Sequence, residues 1–204
     1  MTMRAKEFIK ETGDNPWCHH LSFIKPHWPY MAPAPYHNMY GKESFIPVSR
    51  HNSETENPNP VFKMFMEEQV GLTFSQQGTR ETVLPGYMGL ITQIDDHLGD
   101  LFNFLEKEGK KEETMIVFTS DHGDYLGDHW MGEKELFHDV SVKIPLIIFD
   151  PRKEADQSRG TECNELVEAI DLLPTFIEAN ELKVPNSRLC LLYTSDAADE
   201  LRSV

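Results

Sequence analysis

An α/β fold built on a parallel sheet is predicted by three features of this chain. Residues 115–119 (MIVFT) form an apolar, β-branched run that ends in Asp121-His122-Gly123. Residues 144–149 (IPLIIF) form a second such run. Tyr87, Leu90, Ile91, Ile94, Leu98, Leu101, Phe102 and Leu105 recur at the spacing of one helical face. Continuous apolar runs are what strands buried on both faces look like, and their alternation with helices points to an α/β sheet.

The remaining elements follow in chain order. Residues 17–24 (WCHHLSFI) read as a short buried strand. Prolines 26, 29, 33 and 35 make residues 25–40 an irregular, stiffened loop. Residues 41–60 are polar and end in NPNP, another loop. A helix is expected from about Pro60 to Gln69, with Pro60 tolerated in its first turn. Residues 71–80 look loop-like, and the long amphipathic helix after them should stop at Gly109. Asp95 and Asp96 fall on that helix's polar flank, where caps or ion pairs are their usual duty. Asp171 reads as the N-cap of a helix to about Ala179, which places Pro174 in the first turn.

Composition excludes several function classes. The 204 residues suffice for one core, and the net charge of −15 offers no basic stripe for a nucleic-acid backbone. No apolar run approaches the ~20 residues of a membrane span. The opening MTMRAKEFIKETGDNPW holds no secretory apolar stretch, and the compartment is left open. Cys18, Cys163 and Cys190 are too widely spaced for a metal knuckle or a disulfide framework. Histidines instead cluster at 19–37 and 122–138.

Those clusters contain the candidate site. In open α/β sheets ligands bind beyond the carboxyl ends of strands, where Asp121 and His122 stand. A carboxylate beside an imidazole suits Mn²⁺, Zn²⁺ or iron better than an all-oxygen Ca²⁺ site. A metal-free strand-ending turn explains the same tripeptide. Lys134 could meet an anionic oxygen, or be a surface lysine between Glu133 and Glu135. Asp128 and His129 could orient metal ligands, or be polar loop residues. His27, in the proline-stiffened loop, could present its imidazole to a cleft, or be a turn histidine. His37 is a weaker candidate of the same kind. Of the adjacent His19 and His20, at least one should be structural. His138 and Asp139 have no assignable role.

Four blocks in order, LSFIKPHWPYMAPAPYH (21–37), GLITQIDDHLGDLFNFLE (89–106), VFTSDHGDYLGDHWMGEK (117–134) and IPLIIFDP (144–151), resemble the sulfatase family of the alkaline phosphatase superfamily. The nearest branch is that of phosphonate monoester hydrolases and arylsulfatases, and DLLPT (171–175) fits the family's next helix. The resemblance implies part of a doubly wound, mostly parallel alkaline-phosphatase-like sheet with helices on both faces. It implies metal-dependent hydrolysis of a small anionic ester, a sulfate or phosphonate monoester. Asp121 and His122 match metal ligands, with His122 favouring Mn²⁺ over Ca²⁺. Lys134 matches the lysine that contacts nucleophile and substrate oxygens. His27 matches the histidine that contacts the sulfate or phosphonate group and helps the leaving group. Glu133 stands where glycine is more familiar.

The family's nucleophile is a formylglycine made from Cys-x-Pro-x-Arg or Ser-x-Pro-x-Arg, and neither motif occurs in this sequence. The expectation is that residues 1–189 are the central to C-terminal part of a catalytic domain, truncated at both ends and inactive alone. Residues 190–204, beginning CLLYTSDAADE, resemble the translation of a sequencing-library adapter and are expected to be a non-native tail. Self-association of the intact parent is left open. Competing readings are a superfamily phosphodiesterase or phosphatase with a Ser or Thr nucleophile, and a truncated product with no activity.

Overall fold

The computed structural model describes residues 1–183. The expected adapter-like tail, 190–204, lies outside the described residues. The chain forms two compact units, residues 1–156 and the residues from 157 onward.

The first unit is organised by one helix. Helix α1 spans Thr2–Thr12, α2 Ser53–Glu56, α3 Pro60–Glu67, α4 Gln69–Ser75 and α5 Thr79–Lys107. With 29 residues, α5 is about 43 Å long and reaches two separate cores. At its C-terminal end Phe104 and Leu105 bury with Ile9 of α1, joined by Phe8, Trp17, Leu101 and Ile116. At its N-terminal end Leu84 buries with Phe74 of α4 and Leu126, against Tyr30, Phe45, Val70, Val83 and Tyr87.

The sequence signal for α5 began only at Tyr87, whereas the helix starts at Thr79 and includes Pro85 and Gly86. Tertiary packing explains two of its glycines. A Cβ on Gly86 would collide with the carbonyl of Tyr30, and one on Gly89 with the carbonyl of Tyr36. Glycine at these two positions lets the proline-rich loop lie directly on the helix backbone. The loop is further tied by Tyr36 Oη, which donates to Asp96 Oδ2 at 2.7 Å. Asp96 is therefore neither a cap nor half of an ion pair. Beyond α5 the chain turns at Gly109, with φ of +69°.

Three expectations change. Residues 17–24 form no strand; Trp17 and His19 pack on Phe8 of α1, and the Phe23 ring stacks on His97 of α5. The segment is held by aromatic packing on helices and joins no strand ladder. Residues 71–75 of the expected loop are helical, part of α4, which follows a one-residue break at the extended Glu68. Helix α1 was unforeseen, although Ala5, Phe8 and Ile9 carry its apolar spacing.

The sheet also differs from expectation. Strand β1 (Ile116–Thr119) pairs with β2 (Leu146–Phe149), and the pairing is antiparallel, from Ile116↔Phe149 to Thr119↔Leu146. These are the only two strands among the described residues, so no parallel, doubly wound sheet forms there. Parallel strands need a crossover, usually a helix packed on the sheet. Here the connection instead folds as the loop 120–145, whose one α-helical turn is α6 (Asp139–Val142). Apolar runs report burial, not strand direction. Ile147 and Ile148 are 63% and 46% exposed, so a two-stranded ribbon leaves them uncovered.

In the second unit a 3₁₀ turn, Ala169–Asp171, leads into α7 (Leu172–Ala179). Asp171 is the N-cap residue, but its carboxylate accepts from the Glu168 N–H rather than from α7.

A contrast between two helix glycines tests the packing. Gly86→Ala should destabilise the chain by about 1–3 kcal/mol, since the Tyr30 carbonyl must move. Gly99→Ala, in open space on the same helix, should stabilise it by up to ~1 kcal/mol. Urea-unfolding midpoints that move together would contradict this account.

Candidate active site

Loop 120–145 is closed at its root by β1 and β2. Thr119 Oγ1 donates to the Pro145 carbonyl at 2.9 Å, and the Gly123 N–H donates to the Ser141 carbonyl at 2.7 Å. A Cβ at Gly123 would strike the Val140 carbonyl, so this crossing requires glycine. The Asp121-His122 turn is thereby fixed just beyond β1.

At that turn, Asp121 Oδ1 accepts from the His122 N–H at 3.0 Å, and Asp121 Oδ2 lies 3.5 Å from His122 Nε2. His122 Nδ1 lies 2.7 Å from the Gly123 carbonyl, which assigns its proton to Nδ1 and leaves the Nε2 lone pair toward Asp121. Burial alone would raise the Asp121 carboxyl. The neighbouring His122 and the backbone N–H groups outweigh it and hold the carboxyl below its ordinary value. Two donor atoms each ~2.1 Å from one ion lie ~3–3.5 Å apart, so this pair fits a divalent metal. Among the described residues, no group of three or more His, Cys, Asp or Glu is placed to hold a metal ion.

The structure brings His27 and Lys134 together across the fold. Lys134 Nζ lies 3.2 Å from His27 Nε2. His27 Nδ1 faces the Trp28 carbonyl at 3.1 Å, so Nε2 is free to accept from the ammonium. Lys25 Nζ donates to the His27 and Pro29 carbonyls, at 3.0 and 2.8 Å, and stiffens the turn that presents His27. On the other side, the buried Ser141 hydroxyl donates to the Lys134 carbonyl at 2.8 Å.

Asp124 was missed in the sequence. Its Oδ2 accepts from Tyr30 Oη at 2.7 Å, and its Oδ1 accepts from the Leu126 N–H at 3.1 Å. Burial pushes its carboxyl up against the pull of these bonds, and Glu133 adds repulsion. Burial and the Asp124 charge push the Tyr30 phenol up as well, and Tyr87 up to about 12. The one signal for Asp124 was its position two residues after His122.

The hydrogen bonds of Asp128 and His129 clasp the loop at 49–54, as those of polar loop residues do. Asp128 Oδ1 accepts from the Ser49 N–H at 2.8 Å, and His129 Nδ1 meets Glu54 Oε1 at 2.7 Å. The Arg50 guanidinium lies 4.4 Å from the Trp130 ring centre. The His129 ring stacks on His138 at 4.1 Å, and His138 Nδ1 bonds to the hydroxyl of the buried Tyr125 at 2.7 Å. His138 is thus a structural partner, and His37 sits exposed on the turn Tyr36–Asn38. His19 is structural through its stack on Phe8.

Burial, then the charge on His129, holds His138 below its ordinary 6.5. The unfolded chain therefore binds the proton first. This contribution to stability is intact above about pH 6.5 and is lost as pH falls through the depressed folded value. His138→Asn should flatten the fall in urea midpoint between pH 7.5 and 5.5, roughly the span of that titration. Glu133 has φ of +57°, a conformation that costs a non-glycine residue ~1–2 kcal/mol. Glu133→Gly should raise the midpoint, adding up to ~1 kcal/mol after glycine's entropy cost; a lower midpoint would show that the Glu133 side chain has a stabilising duty.

Comparison with known proteins completes the picture. The sulfatase family model matches residues 1–181. A multifunctional alkaline phosphatase superfamily protein, PehA of Trinickia caryophylli, is 36% identical over 192 residues, 87% of this chain and 36% of its own length. An arylsulfatase of Clostridium perfringens is 28% identical, over 82% of this chain and 34% of that protein. The solved phosphonate monoester hydrolase of Agrobacterium radiobacter superposes with a TM-score of 0.79 at 26% identity, over 89% of this chain and 38% of that one. That of Silicibacter pomeroyi gives 0.71 at 29% identity, over 91% of this chain and 38% of that one. The chain spans little more than a third of the length of these relatives. With the sulfatase model matching residues 1–181, and with a relative named for the alkaline phosphatase superfamily 36% identical over 87% of this chain, the chain belongs to the sulfatase family of the alkaline phosphatase superfamily.

Proposed function

We propose that this chain is part of a metal-dependent hydrolase of sulfate or phosphonate monoesters. The observation that carries the reading is the meeting of Lys134 Nζ and His27 Nε2, at 3.2 Å, from segments 107 residues apart. A lysine and an imidazole drawn together supply donors for an anionic ester, and the loop after β1 that carries Lys134 also carries the Asp121-His122 turn. The names of the relatives, arylsulfatase and phosphonate monoester hydrolase, agree with that chemistry.

Asp121 and His122 would hold the ion, and their mixed oxygen and nitrogen donors favour Mn²⁺ over Ca²⁺. When bound, such an ion is a Lewis acid toward the non-bridging oxygens of the ester. A formylglycine nucleophile would come from residues outside this chain. Lys134 binds and orients the ester through an anionic oxygen, turning its remaining N–H donors from His27 to the substrate. His27, its Nδ1–H held by the Trp28 carbonyl, presents Nε2 to the leaving oxygen and, once protonated there, offsets its growing charge. Strands β1 and β2 would be the antiparallel portion of a larger, mostly parallel, doubly wound sheet completed by the parent protein, a common mixed arrangement. The parent's state of association is unassigned by any of these contacts.

His122→Ala in the full-length parent should lower bound metal and turnover together, the latter by ~100-fold or more. Full metal content in that variant would remove His122 from the ligand set. The purified 204-residue chain should not turn over a nitrophenyl sulfate or a phenylphosphonate ester, because it lacks both nucleophile motifs.

A further inference from the structure

The two halves of the proposed site belong to different parts of the chain, and one partly buried hydrogen bond ties them. Tyr30 lies three residues after His27, and Asp124 two residues after His122. Their side chains meet at 2.7 Å, and the donor and acceptor are 94 residues apart. Each end is itself held rigidly. The Tyr30 ring packs edge-on against Tyr87 of α5, with ring centres 5.9 Å apart, and the Tyr30 carbonyl rests on Gly86. The second oxygen of Asp124 takes the Leu126 N–H, which orients the carboxylate. Between Tyr30 and His27 the chain has little freedom, since Pro29 intervenes and Lys25 clamps the His27 and Pro29 carbonyls.

The geometry points to Tyr30 and Asp124 as positioning residues, whose hydrogen bond sets where the His27 imidazole stands relative to the Asp121-His122 turn. The inference rests on the reading of the site given above. Neither residue needs to touch the ester. A short, partly buried bond to a carboxylate resists displacement better than a surface contact. Without it, His27 keeps its own turn but loses its reference to the metal half of the site, and misplacement of a catalytic group by ~1 Å can cost ~100-fold.

The test compares two leaving groups in the full-length parent. Tyr30→Phe keeps the ring and its packing and removes only the hydroxyl. It should lower kcat for an alkyl ester by ~10- to 100-fold. Turnover of a nitrophenyl ester, whose leaving group needs little help, should stay within ~2-fold. Metal content should be unchanged. Asp124→Leu should match Tyr30→Phe, and the double variant should be no worse than either, the signature of one shared interaction. Asp124→Asn retains a carbonyl acceptor for Tyr30 and should restore most of the alkyl-ester rate. Equal losses on both esters, or no loss on either, would overturn the inference.

A second measurement is independent of turnover. In the 204-residue chain, Tyr30→Phe should shift or broaden the ¹⁵N signal of His27 Nε2. Tyr36→Phe, which removes a different anchor of the same loop to α5, should leave that signal in place. A His27 signal unmoved by Tyr30→Phe would overturn the positioning role, whatever the kinetics. If His27→Ala in the parent shows no dependence on leaving group, it is the assignment of His27 that fails, and the resonance still decides whether Tyr30 positions it.

Discussion

The carbonyls of Tyr30 and Tyr36 lie so close to the backbone of α5 that only glycine fits beneath them, at Gly86 and Gly89. The rest of the first unit depends on this approach. It seats a proline-rich loop on a long helix whose N-terminal half is packed by Phe74 and Leu126 and whose C-terminal half is packed by Ile9. Because the loop carries His27, the position of that imidazole is inherited from helix packing rather than from local turn preference. Two glycines in a helix interior cost roughly 0.5–1 kcal/mol each relative to alanine. That cost is offset by a loop whose carbonyls come within van der Waals reach of the helix, and by the Tyr36–Asp96 hydrogen bond.

The facing loop is shaped by the opposite strategy, strain held by many small contacts. Leu126, His129, Trp130 and Glu133 all have positive φ, within a stretch that also includes Gly127. Such backbone persists only where the surroundings over-determine it. Here the surroundings are identifiable. The Tyr125 N–H donates to the Glu133 carbonyl at 2.8 Å and the Gly127 N–H to the Met131 carbonyl at 2.8 Å, while Tyr125 and Met131 are each 1% exposed. Asp128, His129 and Trp130 then face outward and grip residues 49–54. The loop therefore works as a rigid platform that carries Lys134 at one end and the Asp121-His122 turn at the other.

How much of this was legible in the sequence follows from the range of each interaction. The Asp121-His122-Gly123 turn could be read because strand end, ligands and glycine are contiguous. The C-terminal two thirds of α5 could be read because its apolar face repeats every three or four residues. Separate roles for His27 and Lys134 at one site came from resemblance; their direct contact was not foreseen, since nothing local links positions 107 apart. Tyr30 and Asp124 escaped notice for the same reason, and because Tyr30 sits among aromatics and prolines that read as loop. The sequence left two readings of Asp128 and His129 open because their partners, Ser49 and Glu54, lie more than 70 residues away, and no local pattern links them. Strand direction was misjudged because apolar content encodes burial, whereas direction is set by how the 120–145 loop returns.

The charge distribution adds a constraint on how such a site can work. The chain carries a net charge of −15, and Lys134 is flanked by Glu133 and Glu135. An anionic ester approaching this surface meets a repulsive field at distances beyond the ~8–10 Å Debye length only weakly, and within it strongly. The charge of this chain by itself offers such an ester no long-range attraction. On the proposed reading, attraction would come from short-range contacts, with the ammonium that Lys134 shares with His27 and with a cation between Asp121 and His122 as the largest local positive charge. Glu133 sharpens the point, because its charge is already felt by Asp124 and Tyr30. With carboxylates this close, one lysine does not make the pocket electropositive. On the proposed reading, an ion held by Asp121 and His122 would serve to bind the ester as well as to activate it, and loss of the metal should weaken both.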